Sequence, residues 1–217
     1  MYYSRPGLII AFHGCEAAIR NKLLSNPDFI KKSEKPYDWL GHGIYFWENN
    51  IDRALEWAKD KKRRGEIDTP AVIGAVLDLG YCFDLSDSRF ISMIKGSYSL
   101  LAQTYKDVGE TLPQNRDIKT DHHKDKILRE LDCKVIEFMH DQITNWVATD
   151  IQLKGYSEYR IFDSARGVFT EGGPAYTGAG IAEKTHIQLS IRNPNCIKGF
   201  FLPRQEIDFL KSSLPKN

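Results

Sequence analysis

Five side chains combine chemically useful types with positions at the ends of regular elements. His13 precedes Gly14 at the close of the apolar run "GLIIAFHG", and Tyr45 lies within "GHGIYF". His186 and Gln188 alternate with apolar residues along "THIQLSI", and Glu171 stands in the glycine-rich "TEGGPAYTGAG". A histidine can hold or move a proton near neutral pH. A tyrosine offers a ring face for stacking and a polar tip. Glutamine hydrogen-bonds a hydroxyl but supplies no negative charge and takes no proton, whereas a glutamate does both.

The elements that must carry these groups can be read from apolar spacing. "GLIIAFHG" reads as a short buried strand ending at Gly14, followed by helical spacing over 15 to 25. Residues 43 to 47 read as a second strand. "NNIDRALEWAKDKKRRG" reads as a helix capped by Asn49 or Asn50, lined by Ile51, Ala54, Leu55 and Ala58, and ended by Gly65. "AVIGAVLDLGYCFDL" reads as a strand, a bend at Gly80 and a shorter strand. Helices are expected over 86 to 107 and 127 to 146, joined by an exposed polar loop, with an irregular stretch from 147 to 182. Along "THIQLSI", His186, Gln188 and Ser190 share one face and Ile187, Leu189 and Ile191 the other. "CIKGFFLP" reads as the last strand and "RQEIDFLKSSL" as a short closing helix. Strands at both ends with helices between them predict one α+β domain over 1–217, with a helical insertion at about 86–146.

Composition sets outer limits. The chain has 217 residues, 41% hydrophobic and 27% charged, and a formal net charge of +1. That balance gives no whole-chain argument for a polyanion partner, although a local basic face stays open. The longest apolar runs are too short to cross a bilayer, and "MYYSRPG" lacks the apolar core of a signal peptide. The four scattered cysteines contain no CxxC pair, which favours reduced thiols in a cytoplasm over a disulfide framework or a zinc site. His122-His123 has no spaced partners, so no metal is expected there.

Taken in order, "FHGC", then "GHGIYFWENNIDRALEWA", then "GAVLDLGYCFDL" resemble three landmarks of the ADP-ribosyltransferase superfamily, in its poly(ADP-ribose)-polymerase and diphtheria-toxin-like branch. The likeness covers about the first 85 residues well and the last 35 loosely. It implies a split β-sheet core, built as two small sheets, enclosing a cleft for NAD as co-substrate. In that reading His13 hydrogen-bonds the adenosine side or a ribose of NAD. The Gly14 backbone pairs with the nicotinamide carboxamide, and Tyr45 stacks on the nicotinamide ring. Cys15, Gly43, Trp47 and His186 complete the cofactor-binding set. Gly41 and Gly43 let the backbone enter the cleft.

One departure bears on chemistry. The family places a glutamate on its penultimate strand, where it binds a ribose hydroxyl and assists transfer. Here alignment puts Gln188, or else Thr185, at that position. Gln188 with His186 beside it, or Glu171 from the preceding loop, are the candidates for the third catalytic group; a third reading is binding without transfer. The absent glutamate argues for mono-ADP-ribosyl transfer over polymer synthesis. The resemblance suggests a bacterial toxin or anti-phage effector acting on a macromolecular acceptor, protein or nucleic acid, and held by an antitoxin. The rivals are an RNA 2′-phosphotransferase-like enzyme, resting on His186 and Arg192, and a non-catalytic NAD or ADP-ribose binding module. Arg160, Asp163 and Arg166 suit either the NAD pyrophosphate or a structural Arg–Asp pair. The basic end "KDKKRRG" suits either the helix dipole or a phosphate backbone. Trp39 and Trp47 are read as pocket wall or core, and Trp57 as core.

Overall fold

A computed structural model describes residues 7–119 and 121–204. Strands β1 (Ile9–Glu16), β2 (Ile44–Glu48), β3 (Pro70–Leu77), β4 (Cys82–Asp84), β7 (Ser164–Phe169), β8 (His186–Ile191) and β9 (Ile197–Phe201) form one seven-stranded sheet. Its order is β4-β7-β8-β2-β1-β3-β9, antiparallel throughout except for the parallel β4/β7 edge. Two-residue strands β5 (Asn115–Arg116) and β6 (Leu128–Arg129) make a separate ribbon. The helices are α1 (Ala17–Ser25), α2 (Ile51–Arg63), α3 (Ser88–Asp107) and α4 (Glu130–Lys154).

The two small sheets expected from the sequence are therefore one sheet, but its halves are barely joined. β1 meets β2 at only two positions, Ala11 with Glu48 and Phe12 with Trp47. β1 meets β3 at eight. Past Phe12 the two central strands part.

Helix α2 shows how local sequence sets position. The Asn50 side chain accepts from the Arg53 N–H at 3.0 Å and caps the first turn. Lys61, Lys62 and Arg63 occupy the last turn, where cations complement the helix dipole. The helix stops at Gly65, left-handed at φ +73°, with Glu66 N–H donating to Lys61 C=O and Gly65 N–H to Lys62 C=O. Ala54 and Ala58 are fully buried against β1. Gly14 lies beneath them, and a Cβ there would overlap the Ala54 carbonyl oxygen. Ile51, expected on the buried side, is instead 38% exposed.

Two cores lie on opposite faces of the sheet. One contains Ala11, Ile44, Phe46, Leu77, Leu189 and Ile191. The other packs Trp39, Leu40, Phe83, Ala165 and Phe169 against α3 and α4 through Phe90, Ile136, Met139 and Ile143. Burying each large side chain of these cores contributes roughly 1.5–3 kcal/mol. The helical insertion is thus a cover for one sheet face, not an appendage.

Three expectations change. α4 begins at Glu130 and runs eight residues beyond 146, and the stretch read as irregular holds its last turns together with β7. β7, "SARGVF", is buried on both faces at five of six positions, so it shows no alternation to betray a strand. β8 is interior and covered on both faces, not half-solvated. The expected closing helix lies outside the described residues except at Arg204. No described helix is long and apolar enough to cross a membrane. All four cysteines are buried and in no disulfide, and no group of metal ligands assembles among the described residues.

Candidate functional site

Register decides which side chains share a face. Tyr45 pairs with Ser190 and Trp47 with Gln188 across β2/β8, and Gly167 pairs with Gln188 across β7/β8. Side chains on one strand alternate, so Tyr45, Trp47, His186 and Gln188 floor one face. Trp39 covers that floor over Gly167, where a Cβ would strike its ring. The Trp39 indole N–H donates to Gln188 Oε1 at 2.6 Å. From α2, Trp57 stands 6.1 Å from Trp47, ring to ring. Arg53, one turn earlier on the same stripe, pairs with Glu171 of the glycine-rich loop. The result is a cluster between α2 and the Trp39 segment, with the Glu171 loop held against it through Arg53.

Unpaired atoms concentrate here. Four buried side-chain polar atoms lack a partner among the described residues: Trp47 Nε1, Arg53 Nε, His186 Nε2 and His140 Nε2. The first three belong to one cluster, since the Trp47 and His186 rings lie 6.5 Å apart and Arg53 acts electrostatically on His186. An unsatisfied buried polar group costs about 1–3 kcal/mol. Proteins keep few of them, and three together make this cluster the candidate site.

His13 sits elsewhere on the split. Phe12 shares the Trp47 face, so His13 takes the opposite one, its ring 5.6 Å from that of Phe46. Its Nδ1 lies 2.7 Å from the Tyr45 carbonyl oxygen. A carbonyl only accepts, so Nδ1 carries the proton and Nε2 is left as an acceptor. The ring thereby takes the place that β1 would have filled had the strands stayed paired. Burial pushes the His13 pKa down to about 4, so the ring is neutral near pH 7. The edge of β1 facing the split follows from alternation. Ile10 C=O accepts from Asn49 N–H on the β2 side at 3.0 Å. Phe12 and Gly14 therefore direct their peptide groups to the same side, and at Gly14 the partner strand has gone.

The other expected site residues divide. Tyr45 is half-buried in the second core. Its hydroxyl donates to Gly41 C=O at 2.9 Å and accepts from Leu40 N–H at 3.0 Å. Burial holds its pKa well above 10. Cys15 is not in the cleft: it packs with Leu23 and Ile73 on the other face. Gly43 serves sheet packing, since a Cβ would overlap the Ser190 hydroxyl. Gly41 is left-handed at φ +78°, and a side chain there would meet Glu137. Arg166 and Arg192 point away from any pyrophosphate role. Arg166 is held by Glu48 and Asp84, and Arg192 by Glu137 and the His42 carbonyl. Asp163 receives Asn193 and the Tyr81 N–H, and Arg160 lies over the Tyr81 ring.

Sequence reading missed Arg53 and Trp57 as site residues. Their spacing of four on a helix that buries Ala54 and Ala58 was the available signal. It also missed Arg129, whose guanidinium lies over the rings of Phe169 at 4.1 Å and Trp39 at 5.2 Å. The loop before α4 docks on the glycine-rich loop, with Gly172 N–H donating to Asp125 at 2.8 Å.

The buried histidines make stability acid-sensitive. Burial lowers His140 to about 3 and His186 to about 4. Unfolded, each titrates near 6.5. Their contribution is complete above pH 6.5 and declines as pH falls from there toward the folded values. At pH 5 each is expected to have cost about 2 kcal/mol. Thermal melts between pH 7.5 and 5 check this, and a flat midpoint across that range contradicts it.

Comparison with protein-family models, with curated proteins and with solved structures returns no match.

Proposed function

We propose that the chain binds NAD in this cleft and transfers its ADP-ribose to a macromolecular acceptor, releasing nicotinamide. The observation that carries the proposal is the parting of β1 and β2 after Phe12 beside an aromatic floor. It leaves the N–H and C=O of the buried Gly14 on the β2 side without a ladder partner, a donor–acceptor pair that suits a primary carboxamide. Tyr45, Trp47 and Trp57 supply the ring faces against which a nicotinamide would stack. The His13 Nε2 acceptor lies on the opposite sheet face from these rings and would meet a ribose hydroxyl only through the split.

Catalysis in this reading is positioning and electrostatics. The nicotinamide ring leaves with the glycosidic bonding pair, and positive charge develops on the ribose. Gln188, fixed through Oε1 by the Trp39 indole, holds a hydroxyl. Glu171 is the one carboxylate of the expected set, and it reaches the cluster from the loop as an ion-pair partner of Arg53. With glutamine at the strand position, single transfer is favoured over chain growth. The 2′-phosphotransferase reading loses support because Arg192 is engaged by Glu137 and His42.

The test is incubation of the purified chain with NAD labelled in its adenylate part. The proposal expects nicotinamide release with label on a macromolecule from a lysate of candidate acceptors. NAD binding without release would replace transfer with a binding module. Absence of both NAD binding and nicotinamide release would overturn the reading.

A further inference from the structure

We infer that His186 is the base of this site and that the acceptor it serves is a hydroxyl oxygen. The inference rests on the NAD reading above. Three observations lead to it. First, His186 Nδ1 lies 2.7 Å from the Lys184 carbonyl oxygen. That bond fixes the proton on Nδ1 and leaves a lone pair on Nε2. Second, Nε2 is buried without a partner among the described residues, on a residue 5% exposed. Third, the neighbouring indole of Trp47, 3% exposed, presents an N–H that is equally unpartnered.

One unpaired acceptor and one unpaired donor on adjacent rings complement a group that accepts and donates at a single atom. A hydroxyl does so: its oxygen accepts from Trp47 Nε1–H while its proton is directed to His186 Nε2. A carboxylate cannot, because it has no proton to offer Nε2 and would set its lone pairs against that of the nitrogen. The ring is held in orientation by Phe169, 5.6 Å away and stacked at 27°. Burial, with Arg53 nearby, keeps the imidazole neutral and so able to take a proton near pH 7. The Glu171 loop is latched by Arg53 and followed by left-handed Gly172 and Gly173. The hydroxyl reaches Nε2 when that latch opens.

The hydroxyl oxygen bonds to the ribose carbon that carried nicotinamide. The carbon–nitrogen bond breaks, and its electron pair neutralises the pyridinium as nicotinamide leaves. The hydroxyl proton passes to His186 Nε2 and then to solvent. Water or any alcohol can serve.

The experiment uses the full chain with NAD, in buffer and in buffer containing methanol. Wild type is expected to release nicotinamide and to give methyl ADP-ribose in proportion to methanol. His186→Asn keeps an amide donor for Lys184 C=O and removes the acceptor at Nε2. It is expected to lower nicotinamide release at saturating NAD by about 10²–10⁴-fold, with any change in NAD affinity separated by tryptophan fluorescence. Rescue by added imidazole would support the assignment. Release by His186→Asn close to wild type would overturn the base role and leave the NAD reading standing. A hydroxylamine-labile carboxylate ester as sole product, with no methanol adduct, would overturn the acceptor class. No release by wild type would overturn both this inference and the function it rests on. Should His186→Asn not fold, the methanol partition and the pH profile of wild type decide. A base requires release to fall with acid along a single limb well below pH 6.5, and a flat profile rules it out.

Discussion

Arg166→Met is expected to lower unfolding free energy by about 3–5 kcal/mol, the usual result of removing one partner from a buried ion pair. Arg166 is 7% exposed. Its Nε and Nη2 donate to the two oxygens of Glu48 at 2.6 and 3.2 Å, and its Nη1 lies 3.4 Å from Asp84. Asp84 is also 7% exposed, on the edge strand β4. The guanidinium therefore ties β7 to the edge strand on one side and to β2 on the other. Methionine fills much of its volume but takes the shared cation away from Glu48 and Asp84. Adding Glu48→Gln and Asp84→Asn to Arg166→Met is expected to recover a large part of the loss. Chemical denaturation of the single and triple variants measures both. A loss below 1 kcal/mol would show that the network is solvated and weak.

Gly14→Val is expected to be nearly as damaging, and to remove activity along with stability. The new Cβ would overlap the Ala54 carbonyl oxygen and crowd the Ala58 nitrogen at 3.3 Å, both backbone atoms of α2. Backbone cannot rotate aside as a side chain can, so α2 must lift as a unit. Overpacking of this kind costs about 1–3 kcal/mol or more. α2 carries Arg53 and Trp57, so its displacement opens the Arg53–Glu171 latch and separates Trp57 from Trp47. Thermal melts and NAD binding on the same preparation check the two halves of this prediction. Normal stability with normal binding would mean that α2 does not seat on Gly14.

Much of the framework was legible in the sequence because its signals are local. An apolar run marked β1 and alternation marked β8, the spacing of Ile51, Ala54, Leu55 and Ala58 marked one side of α2, and Asn49 or Asn50 and Gly65 marked its ends. β7 escaped because it is covered on both faces and contains Arg166 and Gly167, so neither alternation nor an apolar run announces it. The site followed the same division. His13, Gly14, Tyr45, His186 and Gln188 could be named from strand ends and order. The contacts that build the cluster around Gln188 and His186 join positions far apart in sequence, 118 residues for Arg53 and Glu171 and 149 for Trp39 and Gln188. No spacing rule reaches that distance. Glycine misled for a related reason. Gly43 answers to the Ser190 hydroxyl on the neighbouring strand, a demand that cannot be seen until β2 and β8 are paired. Cys15 faces Leu23 and Ile73 because alternation carries it to the far side of β1 from Gly14.

The most direct test of the cleft is a crystal structure of the chain with nicotinamide bound. The account predicts the ring against Tyr45, Trp47 or Trp57, and the carboxamide within hydrogen-bond distance of the Gly14 N–H and C=O. A cavity of about 690 Å³ lies away from the split, between α3 and α4, lined by Tyr81, Met93, Trp146 and Phe162. Nicotinamide found there, with the β1–β2 split empty, would contradict the account.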